Sequence, residues 1–160
     1  MLTALNDLAM EQNASTENTS QKVVHFLDYC ATNPEGILWY CASDMKLHVS
    51  SDASYLWVHK DRSWVGGHSF LSDNLPNNSK PPKKEILPIG AVHNEVNILK
   101  NIMSSEAEAK IAALFKNGKN TVILWNTLED MGYPQPPTLI EDDNITAVNI
   151  INYTVKQKRL

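Results

Sequence analysis

The spacing of apolar residues lengthens from a strand period to a helix period in the middle of this chain, and that change restricts the fold more than any other feature. Through 45–52 (MKLHVSSD), Met45, Leu47 and Val49 fall on one face and Lys46, His48 and Ser50 on the other. This is the two-residue period of a half-exposed strand. Further on the period lengthens: Ile111, Leu114, Phe115, Val122, Trp125 and Leu128 keep helical phase. Ser104 or Ser105 caps this helix, Glu108 stands at capping-box spacing from Ser105, and Gly132 and Pro134 end it. Gly118 inside it weakens the middle by about 1 kcal/mol relative to alanine. A strand and a long helix that each have one apolar face must bury those faces, which calls for a layered α/β architecture.

The remaining segments fit that frame. Residues 37–41 (ILWYC) suit a buried strand, and 64–71 (WVGGHSFL) a second, with Gly66-Gly67 marking a bulge or a close backbone approach. Residues 73–85 read as a turn-rich loop. The stretch 86–103 reads as an edge strand, because Pro88 removes a ladder donor. Thr138-Leu139-Ile140 is a short buried strand, and a helix from Asn144 carries Ala147, Val148, Ile150 and Ile151. Upstream, 4–12 form a short helix, 13–20 a polar linker, and Thr19 or Ser20 caps a helix over 21–31. Turn chemistry at Asn33-Pro34-Glu35-Gly36 sets a boundary between a helical arm, 1–35, and a compact domain, 36–160. The order strand, strand, strand, helix, strand, helix predicts a mixed sheet with helices packed on it.

Composition excludes several classes. The chain has 160 residues, 42% hydrophobic and 20% charged, enough for one core. No apolar run spans a bilayer and the N-terminus lacks a signal-peptide layout, so a protein that is neither membrane-spanning nor secreted is expected. Cys30 and Cys41 are too few for a disulfide scaffold, and with His25 and His48 they lack structural-zinc spacing. With 14 basic and 18 acidic residues, the net charge of −4 argues against gripping nucleic acid by bulk charge.

Asp52, after the first alternating strand, and Asp143, after TLIED, both sit at expected strand ends. If the strands are neighbours, the two carboxylates meet at one sheet edge, where hard oxygen ligands suit Mg²⁺. The plainer alternatives are a turn residue at Asp52 and a helix cap at Asp143. Trp57, Lys60 and Arg62 in LWVHKDRSW place an aromatic beside two cations, a candidate nucleic-acid contact. The basic end Lys156-Gln157-Lys158-Arg159 offers phosphate contact or a solvated terminus.

The segments LHVSSDASY, GGHSFLSDN, IMSSEAEAKIAALF and EDMGYPQPPTLIEDDNITAVNIINYTVKQKR, taken in this order, resemble the ribonuclease H domain of copia-type retrotransposon polyproteins. The stretch ALNDLAMEQNASTENTSQKVVHFLDYCATNPEG resembles the end of the reverse transcriptase region that precedes it. The resemblance covers nearly the whole chain. It implies a ribonuclease H-like fold that lacks its last strand and helix, since the chain stops at Leu160 before the segment holding a further catalytic aspartate. It also implies two Mg²⁺ ions and cleavage of the RNA strand of RNA–DNA hybrids. As partners it implies the hybrid and the rest of the reverse transcriptase polyprotein, in cytoplasmic virus-like particles or the nucleus.

By motif, Asp52 in SDASY and Asp143 in EDDN match family metal ligands. The helix glutamate is Glu108 if the segments are aligned on Glu-Ala-Glu, which gives the catalytic and metal set Asp52, Glu108 and Asp143. Aligned without a gap on Ala-Leu-Phe, the register we prefer, its place is taken by Lys110. A lysine there would pair with the carboxylates and compete with Mg²⁺ for their charge. Under the other register Lys110 is a solvated lysine on an exposed helix face. The resulting expectation is a non-catalytic remnant that at most binds nucleic acid or a polymerase partner. The alternative is an active metal-dependent ribonuclease.

Overall fold

A computed structural model describes residues 1–58, 61–73 and 90–152. The chain divides into two units, Met1–Trp39 and Tyr40–Leu160. In the first, helix α1 (Leu2–Met10) and helix α2 (Glu17–Thr32) are joined through a short 3₁₀ turn. Helix α2 starts four residues earlier than the sequence suggests. Its cap is Thr16, whose hydroxyl accepts from Thr19 N at 3.3 Å while the Thr19 hydroxyl accepts from Thr16 N at 3.1 Å. This reciprocal pair converts half of the expected linker into helix. Thr19 is therefore inside the helix, and its hydroxyl also donates to Glu11 at 2.7 Å.

The second unit holds a four-stranded sheet in the order β3-β2-β1-β4, with β1 Lys46–Val58, β2 Arg62–Ser72, β3 His93–Ile98 and β4 Ile140–Glu141. Strands β1, β2 and β3 are antiparallel neighbours. Helix α3 (Glu106–Asp130) carries the chain across, so β4 pairs parallel to β1. Helix α4 (Ile145–Asn152) follows. The mixed sheet with packed helices and an edge strand at β3 agrees with the expected layering. The expected strand 37–41 does not form: Ile37, Leu38, Trp39 and Tyr40 are 61–72% exposed and have no ladder partner. Strand preference is largely a preference for neighbours on a pleated surface, and an apolar run without such neighbours stays irregular. Most of the expected loop 73–85, Pro88 and the basic end lie outside the described residues.

Helix α3 docks on the sheet through a face that the sequence pattern did not mark. Its buried residues are Ala109, Lys110, Ala113, Asn117, Thr121 and Leu128, while Phe115 and Val122 of the expected apolar stripe are exposed. Small residues win because the sheet lies close. Ala109 and Ala113 pack with Ala53, Val65 and Met103, and further along Leu128 packs with Leu47 and Val49, with Trp125 partly buried against them. Between these two clusters the contact is polar. Asn117 Nδ2 donates to the Ser51 hydroxyl at 2.8 Å and to the Gly66 carbonyl at 2.9 Å. A Cβ on Gly67 would come within 2.2 Å of the Asn117 side chain, which accounts for the glycine. Edge strand β3 is tied to the same helix by buried Glu95, which accepts from Lys116 at 2.8 Å, Asn97 at 2.6 Å and Asn120. Burial pushes the Glu95 carboxyl up, and the Lys116 and Asn97 hydrogen bonds more than offset this, leaving it below the usual carboxylate range.

Asn117→Ala strands the Ser51 hydroxyl and the Gly66 carbonyl in the interior, so it should lower stability by ~1–3 kcal/mol. In urea unfolding followed by circular dichroism, the midpoint should fall with little change in the slope.

Candidate acidic centre

Strand β4 is two residues long and pairs only with Val49 and Ser50 of β1. Below that pairing, Gln135 stands in for a strand. Its Oε1 accepts from Leu47 N at 3.0 Å and its Nε2 donates to the Met45 carbonyl at 2.8 Å. Above it, β1 continues past the end of β4, so Asp52 lies within β1 rather than at its end as the sequence suggested. The shortness of β4 nevertheless leaves Asp52 at an uncovered stretch of the sheet edge. There Asp52 Oδ1 turns back to accept from Ala53 N at 2.7 Å, taking one edge donor of β1.

Asp143 reaches the same place from the turn after β4. The helix cap that was its plainer alternative role is made by Asn144, whose Oδ1 accepts from Ala147 N at 3.0 Å. Asp142 Oδ1 accepts from Asn144 N at 2.8 Å and tightens the turn. Asp143 is thus left free of capping duty.

Between Asp52 and Asp143 stands Lys110, near the start of α3. Its Nζ donates to Asp143 Oδ1 at 2.5 Å and also to Asp52 Oδ1. The lysine is 3% exposed, whereas the side chains of Asp52 and Asp143 are 75% and 79% exposed. The ammonium is the buried partner and the carboxylates close over it from the solvent side. Burial pulls the Lys110 pKa down, and the hydrogen bonds and charges of Asp143 and Asp52 more than offset this, holding it above the ordinary lysine value. The Lys110 hydrogen bond holds Asp143 below the usual carboxylate range. Asp142, beside the pair, is pushed up chiefly by its own burial, and its Oδ2 is buried with no hydrogen-bond partner.

The structure brings Asp52 and Asp143 together and adds Lys110. It does not bring Glu108 to them. Glu108 is exposed at the start of α3, where its Oε2 accepts from Ser104 N at 2.6 Å and from the Ser104 hydroxyl at 2.5 Å. Its own N–H donates to the Ser105 hydroxyl at 3.2 Å. The Ser104 hydroxyl, then the Ser104 amide, hold the Glu108 carboxyl below its ordinary value. Capping-box spacing had marked Ser105 and Glu108; the Glu108 amide bonds Ser105 as that spacing suggests, but the carboxylate returns to Ser104 rather than to the Ser105 amide. Arg62 opens β2 and is half-buried, while the Trp57 side chain and Lys60 lie outside the described residues. Sequence reading missed Asp142 and the supporting Gln135. The double acid before Asn144 was the available signal for Asp142; nothing local announced Gln135.

Lys110 sits where a cation between the two carboxylates would sit. The inner oxygens of both carboxylates are taken by an ammonium, and among the described residues no group of three or more His, Cys, Asp or Glu side chains is placed to hold a metal. Among those residues, too, no helix is long and apolar enough to cross a membrane. Comparison with models of known protein families, with curated proteins and with solved structures finds no match to this chain.

A buried ammonium beneath exposed carboxylates makes the two sides of this bridge unequal. Lys110→Met leaves two anions that water can solvate. Asp52→Asn with Asp143→Asn leaves a buried cation without its two bonded carboxylates, the costlier defect. The double variant should therefore melt below Lys110→Met. The pH dependence follows from the two shifts. Asp143, held low when folded, adds stability above about pH 4 that is lost as pH falls through its lowered folded pKa. Lys110, held high, adds stability below about pH 10 that is lost as pH rises through its raised folded pKa. The stability gap between the wild-type chain and Lys110→Met should be flat between those limits and shrink outside them, as chemical denaturation at a series of pH values would show.

Proposed function

We propose that this chain is a ribonuclease H-like segment of a copia-type retrotransposon polyprotein whose acidic centre has become a structural ion-pair clasp instead of a metal site. The observation that carries the reading is Lys110, buried between Asp52 and Asp143 and bonded to both. Two further features support it. Three antiparallel strands, a long crossover helix and a fourth strand parallel to the first give the arrangement that the family resemblance implies. The two aspartates matched by motif, 91 positions apart in the sequence, meet at one point.

On this reading the function is non-catalytic. Two-metal hydrolysis needs carboxylate oxygens free to hold both ions, and the loss of such ligands removes several kcal/mol of transition-state charge stabilisation. Each 1.36 kcal/mol is about tenfold in rate. What remains is contact with an RNA–DNA hybrid or with the rest of a reverse transcriptase polyprotein, in a virus-like particle or the nucleus. The convergence of Asp52 and Asp143 is the one feature that favours the second reading, active hydrolysis of the RNA strand, and the same assay separates the two.

The purified chain, incubated with end-labelled RNA–DNA hybrid and Mg²⁺ or Mn²⁺, should release no product above a metal-free control. Lys110→Glu should raise divalent-ion affinity without useful turnover. Metal-dependent cleavage by the unsubstituted chain, abolished by Asp52→Asn or Asp143→Asn, would overturn the non-catalytic reading. Sensitivity to Glu108→Gln but not to Lys110→Ala would further assign the helix position to Glu108.

A further inference from the structure

The sheet face turned away from α3 carries a row of polar side chains that the acidic centre does not use. Strand residues alternate between faces. Leu47, Val49, Ser51 and Ala53 take the α3 side of β1, so Ser50 takes the other. Ser50 is the register partner of His68 on β2 and of Glu141 on β4, and His68 is the partner of Asn94 on β3. Glu141, Ser50, His68 and Asn94 therefore form a single row across all four strands. Glu141 and Asn94 are exposed, and Ser50 and His68 are half-buried.

Within the row the imidazole is fixed. His68 Nδ1 lies 2.8 Å from Asn94 Oδ1. An amide oxygen only accepts, so Nδ1 carries the proton and Nε2 keeps the free lone pair. The two nitrogens lie on opposite flanks of the ring. With Nδ1 held toward β3, Nε2 is turned toward β1, over Ser50. Phe70 packs beside the ring, with the centroids 5.5 Å apart, and restricts its rotation. An imidazole whose second nitrogen donates to an oxygen is the arrangement that orients histidines for metal binding.

Glu141 stands on the far side of Ser50 from that nitrogen. Neighbouring strands are about 4.8 Å apart, so β2 and β4 are about 10 Å apart across β1. Coordination bonds of about 2.1 Å to nitrogen and to oxygen take up about 4 Å of this. The rest is within the combined length of a glutamate and a histidine side chain. Ser50, between them, is small enough to leave the gap open and sets a hydroxyl beneath it. We propose that His68 Nε2 and the Glu141 carboxylate bind one late first-row divalent cation, of the Zn²⁺ or Cu²⁺ kind, over Ser50, with water completing the coordination. Imidazole suits these ions, whereas Mg²⁺ prefers oxygen alone and Mn²⁺ stands lowest in the affinity order of such sites. The site shares no residue with the Asp52–Lys110–Asp143 clasp and does not depend on the ribonuclease H-like reading.

The test titrates the whole isotope-labelled chain with Zn²⁺ and follows the histidine ring nitrogens by NMR. Before metal is added, His68 should show the tautomer with its proton on Nδ1. Zn²⁺ should shift the His68 Nε2 resonance saturably and leave the Nδ1 proton in place. In the same titration Glu141→Gln and Asn94→Ala should each weaken the affinity about tenfold or more. Both residues are exposed, so circular dichroism should show the fold kept in these variants. His68→Gln should remove one equivalent of bound Zn²⁺ in calorimetry, and a large excess of Mg²⁺ should not displace the ion from the unsubstituted chain. No saturable shift at His68 Nε2, ligation through Nδ1 instead, or ready displacement by Mg²⁺ would overturn the proposal. So would an affinity that Glu141→Gln leaves unchanged, because the ion would then be held by a lone surface imidazole.

Discussion

The second unit is organised around one buried positive charge. The Lys110 ammonium is almost fully withdrawn from water, and an unpaired charge in that position would be prohibitively costly. Three elements meet at it: α3 brings the lysine, β1 brings Asp52, and the turn between β4 and α4 brings Asp143. The bridge therefore fixes where α3 begins relative to the sheet and how the chain leaves β4. Replacing such a bridge by well-packed apolar groups is often neutral or stabilising, whereas removing one side of it is not. Its value to this fold lies in specifying geometry, and the exposure of both carboxylates limits its desolvation cost to the lysine.

The rest of the unit follows from the close approach of α3 that this bridge accompanies. A helix with alanines at 109 and 113 sits low on β1 and β2. Close approach leaves no room for a side chain at Gly67, and Asn117 bonds the Gly66 carbonyl across the gap. With its narrow small-residue face turned inward, α3 must carry its larger apolar residues elsewhere. Ile111 and Leu114 line a groove with Leu139, Ile140, Val148 and Ile151, and Phe115 extends to the outer surface. A strand as short as β4 is workable because the Gln135 side chain continues its ladder along β1.

Much of this was legible in the sequence, for identifiable reasons. The alternation through Met45, Leu47 and Val49 marked β1, and the serine cap with Glu108 marked the start of α3, because both are local signals. The meeting of Asp52 and Asp143 at one place was legible from their positions after two strands expected to be neighbours, although Asp52 proved to lie inside a longer strand. The inward face of α3 was not legible: periodicity weighs large apolar residues, and here alanine, asparagine and threonine face the sheet. The ILWYC run misled because an apolar stretch forms a strand only where a neighbour pairs with it. Lys110 was visible as a charge in a difficult place. That it is buried could not be read locally, since its partners lie 58 and 33 positions away.

A clasp and a metal site are opposite uses of the same two carboxylates, and the difference can be observed directly. Paramagnetic Mn²⁺, titrated into isotope-labelled protein, broadens the amide resonances nearest to where it binds. If Lys110 holds the inner oxygens of Asp52 and Asp143, the amides of Asp52, Ala53, Asp143 and Asn144 should broaden no more than those of other exposed acidic residues, while in Lys110→Glu they should broaden first and saturably. Saturable broadening centred on those four amides in the unsubstituted chain would contradict the account, because it would show that a divalent ion takes the place assigned to the lysine.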